Sequence, residues 1–223
     1  MRLRVFEPQL RNGLLSFVRR IDKRLSAILD EKTGEIDSLI VLGDGNEDAR
    51  VVVLLCHHLC DCGKKVVGVI KPESKRYGAI AELKIYLRPR FSNVVLILDQ
   101  EKDTLEDLYE EIEKALNQAG IRLEKDMELQ ARRVRRYLCS LGDHEFKLVV
   151  VVNGLDDVCS SSHKIEDHLV WLAGVAVEGD SKDVWNSLDE DRRLSVFLRI
   201  RNNREDAERV FAQHFGGLGL LCR

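Results

Sequence analysis

Long apolar runs are missing from this sequence, and with them the means to cross a bilayer as a helix, which takes about 20 consecutive apolar residues. The residues after Met1 are mixed and Arg-rich. They contain no apolar core of the roughly 7–15 residues that a secretory leader carries, so none is expected. Cysteine is too sparse for a disulfide scaffold. Six in 223 residues read as buried or free thiols in a reducing compartment, and a cytoplasmic protein is expected. An excess of one charge is also absent. Lys and Arg number 35 against 38 Asp and Glu, a formal net charge of −3, so there is no global basic field and any nucleic-acid contact must be local. Proline is scarce, at three residues, while 33% of the chain is charged. That combination suits the surface ion-pair networks of a thermophile. With 44% hydrophobic residues the chain is too apolar for disorder and too charged for a fibre, which leaves a soluble globular protein. Its length fits one large domain or a domain with an appendage.

The pattern of apolar residues divides the chain in three. In residues 1–35, Leu14, Leu15, Val18, Ile21, Leu25 and Ile28 recur at helical spacing beside Arg11, Arg19, Arg20, Lys23 and Arg24. This predicts a basic amphipathic helix ending near Lys32, Thr33 and Gly34. Residues 36–178 alternate short apolar runs with helical stretches. The runs are Ser38 to Leu42, Val66 to Ile70, Val94 to Leu98 and Lys147 to Val152. Strands apolar on both faces are buried strands of a parallel sheet, and the alternation predicts a layered α/β fold with right-handed crossovers. Val51 to Leu55 is rich in β-branched residues, yet the unbroken run from Asp48 to Asp61 is too long for an average strand and is read as the connecting helix. Two more helices are predicted, one through Leu105, Leu108, Ile112 and Ala115, the other from Asp126 to Leu141. In residues 179–223 the strands stop, and a helical extension broken at Asn202 and Asn203 is expected.

Ligands of open α/β sheets bind beyond the carboxyl ends of the strands. Those positions are acidic here. The first run leads into Asp44, Glu47 and Asp48, the third into Asp99, Glu101 and Asp103, and the fourth is followed by Asn153, Asp156, Asp157, Glu166 and Asp167. A hard divalent cation would relieve the repulsion, and Mg²⁺ is commonly held by one or two carboxylates plus water and substrate phosphate. Asp99 and Glu101, two apart, would share one side of an extended strand end. The competing explanation is helix capping, with Thr104 and Asp107 as a capping pair joined by Asp103.

These positions resemble the Toprim fold, the metal-binding catalytic domain of bacterial-type primases, type IA and II topoisomerases, OLD-family nucleases and many small prokaryotic and archaeal proteins. Leu42-Gly43 falls where that family has Glu-Gly, Asp99-Gln100-Glu101 where it has Asp-x-Asp, and Glu166-Asp167-His168-Leu169 is similar to its late Glu-Asp-Leu helix start. The resemblance covers roughly residues 36 to 173. It implies Mg²⁺- or Mn²⁺-dependent phosphodiester chemistry on nucleic acid, with Asp99, Glu101, Asp103, Glu166 and Asp167 around the cation. Leu42 departs from the pattern, because leucine can move no proton. Asp44 or Glu47 would then act as acid/base, or the domain is a degenerate binding or scaffold module that has lost turnover.

Other motifs bear on the same choice. Gly43 to Ala49 is a loose nucleotide-binding turn whose carboxylates oppose a pyrophosphate, so nucleotide binding stands as an alternative. Cys56-His57-His58-Leu59-Cys60-Asp61-Cys62 holds both soft zinc ligand types, but no second Cys-x-x-Cys accompanies it and a buried helix face explains it as well. His163 and His168 would either orient phosphate or cap a helix, and capping is the preferred reading. Arg132, Arg133, Arg135 and Arg136 would either pair with Glu124, Glu128 and the acidic helix at Glu106 to Glu113, or meet phosphates, as would Lys71, Lys75, Arg76, Arg88 and Arg90. Phe197, Phe211, Phe215, Leu218, Leu220 and Leu221 exceed what a short extension can bury, which predicts a homodimer.

Overall fold

The computed structural model describes residues 1–29, 36–43, 45–59, 65–87, 91–126 and 132–222, with the backbone alone for 125 and 126. In chain order its elements are β1 (Arg2–Val5), α1 (Pro8–Ile21), β2 (Ser38–Leu42), α2 (Asn46–His58), β3 (Val66–Ile70), α3 (Tyr77–Tyr86), β4 (Asn93–Asp99), α4 (Leu105–Gln118), β5 (Arg122–Asp126), β6 (Val134–Leu141), β7 (His144–Asn153), α5 (Ile165–Ala173), α6 (Ser181–Ser187), α7 (Glu190–Asn202), α8 (Arg204–Val210) and α9 (Ala212–Leu218). The strands form one sheet in the order β1-β3-β2-β4-β7-β6-β5. The first five are parallel, and β6 and β5 run antiparallel beyond β7. The protein is therefore α/β with a mostly parallel sheet. The four apolar runs are its central strands, and Val51 to Leu55 lies in α2.

Side chains alternate across the sheet with period two. Ile40, Leu42, Val67, Val69, Val95, Ile97, Val149 and Val151 face the layer of α1, α2, α5, α7 and α9. Leu39, Val41, Ile70, Val94, Leu96, Leu98, Val150 and Val152 face α3 and α4. Both layers are dry, which is why these strands read as continuous apolar runs rather than alternating ones.

Three local expectations are corrected. The described part of the stretch expected as a helix from Asp126 to Leu141 is instead strand, with β6 pairing to β7 across the two-residue turn Gly142-Asp143, and residues 127–131 lie outside the described residues. Arg135 lies over the Tyr109 ring, 4.1 Å from its centroid, and pairs with Glu113 of α4 at 3.5 Å. A cation stacked on an aromatic face and ion-paired can line a packed interface, so its charge did not mark a helix surface. Residues 2–5, read as the start of the first helix, form β1 and pair with β3; four residues are too few for a period to show. That helix begins with Pro8 in its first turn and ends at Ile21, and its expected end at Lys32 to Gly34 lies outside the described residues. Finally, Cys222 is disulfide-bonded rather than free, while Cys56, Cys139 and Cys159 are free thiols.

The carboxyl-terminal helices join the main core. Asn203 both ends α7 and caps α8, its Oδ1 accepting from the Asp206 N–H at 3.0 Å. A Cβ on Gly217 would lie 2.3 Å from Val151 Cγ2, so glycine lets α9 sit directly on β7. Phe197, Phe211, Leu218 and Leu221 are buried within the chain itself, and Phe215 and Leu220 are partly buried against the same core, which leaves little of the apolar surface from which a dimer was expected. Among the described residues no helix is long and apolar enough to cross a membrane.

Candidate active site at the carboxyl edge of the sheet

The alternation that puts Val95 and Ile97 on the α5 side also puts Asp99 there, at the last position of β4. Asn153 ends β7 in the same phase and is its register partner. The fully buried Asn153 amide donates to Asp99 Oδ1 at 2.7 Å and to Asp48 Oδ1 at 2.6 Å. Its own Oδ1 accepts from His214 Nε2 of α9 at 2.8 Å. Asp99 Oδ1 accepts a further bond from the Ile165 N–H opening α5, at 3.2 Å, and Asp48 Oδ2 takes the Gly45 N–H at the start of α2, at 3.0 Å. One carboxamide thus joins two strands and three helices, and its two N–H groups hold two carboxylates that would otherwise repel.

Beside this bridge are two carboxylates of a different kind. Glu47 and Glu166 occupy the first turns of α2 and α5. The Glu166 side chain is buried, its residue 6% exposed. Burial raises its pKa, and the neighbouring Glu47 charge raises it further, against its own backbone N–H and the Lys182 and Lys164 charges. Burial also raises the Glu47 pKa, opposed mainly by Arg50. Glu47 Oε1 accepts from Arg50 at 2.7 Å, while its Oε2 is buried outside close hydrogen-bond geometry, and the Trp185 indole N–H acts on the carboxylate to lower its pKa against the effect of burial. Acids shifted toward neutrality at a sheet edge are suited to proton transfer.

The other expected site residues lie apart from these. Glu101 has φ +60° and exchanges backbone hydrogen bonds with His163, so the extended geometry ends at Asp99. Glu101 Oε2 accepts from Ser162 Oγ at 2.6 Å and lies 3.6 Å from Lys164 Nζ; the extended strand end from which it was expected to share a side with Asp99 does not reach it. Asp103 binds the Arg76 guanidinium and, at 3.1 Å, the Tyr77 hydroxyl, tying the loop after β4 to the start of α3. Thr104 caps α4 by accepting from the Asp107 N–H at 3.1 Å. Asp167 is fully buried; its Oδ2 accepts from Leu155 N–H at 3.2 Å and from His163 Nδ1 at 2.7 Å, and its Oδ1 has no partner. Leu42 is buried in the sheet core. Asp44 lies outside the described residues, as do Cys60, Cys62, Arg88 and Arg90. Among the described residues no three His, Cys, Asp or Glu side chains are grouped to hold a metal.

His168 and His214 have structural tasks. Burial holds His168 neutral, its pKa pushed down to about 3. Its Nδ1–H donates to the Val210 carbonyl at 2.7 Å and its Nε2 accepts from Gly154 N–H at 3.3 Å. His214 is likewise held neutral by burial.

Asp48 and Asn153 were placed after the strands from sequence but given no role in the site, and His214 was not singled out. Strand phase could have found Asn153 opposite Asp99. Nothing in the sequence marks His214, which arrives from a helix 61 residues away. Comparison of the chain with protein-family models, curated proteins and solved structures gives no match. Fold and edge together define an α/β protein with buried carboxylates beyond the strand ends.

Proposed function

We propose that the protein performs Mg²⁺- or Mn²⁺-dependent phosphodiester chemistry on nucleic acid, as a Toprim-like enzyme with Glu47 in the acid/base role that Leu42 cannot fill. The observation that carries this reading is the placement of Glu47, half-buried, and Glu166, buried, in the first turns of two helices at the edge where α/β sheets bind ligands, with burial raising both pKa values and the Glu47 charge raising that of Glu166 further. Their oxygens suit a hard cation, which needs only one or two carboxylates besides water and phosphate. Glu166, with Asp99 linked to its helix through the Ile165 N–H, would hold that ion. When bound, the cation supplies charge stabilisation at the scissile phosphate. Glu47 Oε2 gives or takes the proton, Arg50 fixes the position of Oε1, and the Asn153 bridge keeps Asp48 and Asp99 from competing for it.

Plasmid, single-stranded DNA and RNA incubated with Mg²⁺ or Mn²⁺ test the reading. Glu47→Gln should lower metal-dependent cleavage by about 10²–10⁴-fold, the usual contribution of a general acid or base. Glu166→Gln should abolish the cation-induced rise in melting temperature while raising the melting temperature in chelator, since it removes a buried charge. Absence of cleavage together with an unchanged melting temperature at millimolar cation would overturn it in favour of a binding module.

A further inference from the structure

Two depressions meet on the helical face beside Glu47. One, of about 410 Å³, is lined by Glu7, Asn46, Arg50 and Lys71. The other, about 370 Å³, is lined by Arg20, Arg50, Glu190 and Arg193. Gly13 and Arg50 belong to both, so they form one cleft running along α1 between α2 and α7. We infer that this cleft binds the phosphodiester backbone of a single-stranded nucleic acid and leads it to Glu47.

Charge and shape argue for that occupant. Arg20, Arg50, Lys71 and Arg193 give four cations against Glu7 and Glu190, in a chain whose formal net charge is −3. Lys71 Nζ is held by Asn46 Oδ1 at 2.8 Å, and Arg20 reaches across the cleft to Glu190 at 2.6 Å. Arg193 has no close ion-pair partner among the described residues, and its charge is felt at Glu47. A run of cations along a groove tracks the backbone of a single strand.

Gly13, an exposed residue lining both depressions, supplies an independent observation. Gly13 lies inside α1, where glycine is less stable than alanine. Nothing local calls for it: its φ is not positive, and a Cβ there would meet no atom within 4 Å. A glycine that packing does not require, at the one backbone position common to both depressions, keeps the cleft open. Arg50 then connects cleft to chemistry, since the guanidinium that lines both depressions also binds Glu47. In this respect the inference rests on the reading of Glu47 as the working acid.

The test is fluorescence anisotropy of a labelled 12-residue oligothymidine with the full chain in chelator, so that nothing is cleaved. Gly13→Phe should weaken binding at least tenfold without lowering the melting temperature, and Gly13→Ala should keep affinity within twofold. If all four cations take phosphates, affinity should fall about 50-fold between 50 and 200 mM salt, and Arg193→Glu should make that dependence shallower. Undiminished binding by Gly13→Phe, equally tight binding of duplex, full competition by a mononucleotide, or no binding would each overturn the cleft. The two readings separate cleanly. Cleavage that persists in Gly13→Phe removes the cleft and leaves the carboxylates, whereas Gly13-sensitive binding without cleavage does the reverse.

Discussion

Asn153→Asp should turn the bridge at the sheet edge into a three-carboxylate cluster, and its consequences follow from the hydrogen bonds it replaces. The wild-type amide makes one bond to each of two carboxylates, at 2.6 and 2.7 Å, from a fully buried position. Hydrogen bonds to charged groups contribute about 1.5–3 kcal/mol each, so the two together contribute roughly 3–6 kcal/mol. A carboxylate at 153 loses both and adds a third buried charge. A protonated acid recovers one bond. The new acid therefore has a folded pKa raised above its unfolded value. Its stabilising contribution is present at low pH and lost as pH rises through the folded pKa. The deficit relative to wild type should be about 3–5 kcal/mol at pH 7, the usual cost of an uncompensated buried charge, and should shrink toward pH 4. Urea unfolding followed by tryptophan fluorescence measures it, because Trp185 is buried in the same helical layer. A divalent cation should restore part of the loss in this variant, since it can replace the amide as the shared positive partner. A variant as stable as wild type at pH 7 without cation, or a deficit independent of pH, would refute the bridge.

Acid should also destabilise the wild type. His168 stays neutral in the fold down to about 3, while the unfolded chain takes up its proton near 6.5, so stability drops about 2 kcal/mol between pH 7 and 5 from this group alone. His214 acts with the same sign, and Glu47 and Glu166 oppose both, gaining stability as they protonate; urea titrations at the two pH values, repeated on His168→Gln, check the slope. Gly142→Ala should cost about 1–2 kcal/mol, because Gly142 has φ +64° and an added Cβ meets nothing. The loss is purely conformational, and an unchanged urea midpoint would contradict it.

Much of the layering was legible in sequence because the central strands are dry on both faces. Ser38–Leu42 and Val94 to Leu98 have no polar position to confuse with a helix stripe, and β-branched Val51 to Val53 were still assignable to α2 from the length of the run. β6 escaped because arginines in it and just before it are used inward. Arg135 is stacked and paired on α4, and the Arg133 guanidinium bonds Gln100, the Asn153 carbonyl and Asp156. Composition cannot distinguish a buried, partnered cation from a solvated one. The capping role weighed for the acidic residues holds for Thr104 and Asp107, and the Asp48 carboxylate closes the start of α2.

By itself the sequence determined that acidic residues follow the strands, since strand ends and carboxylates are both written in local order. Which carboxylates meet was decided by tertiary structure. Asp99 turns toward Asn153 because register aligns two strands 54 residues apart, and the Glu47 charge reaches Glu166 because two helices begin at the same edge. Glu101 is turned away by one left-handed residue. Charge is a property of a residue, but repulsion, desolvation and sharing depend on distance, and distance between segments remote in the chain exists only once the sheet and its covering helices have packed.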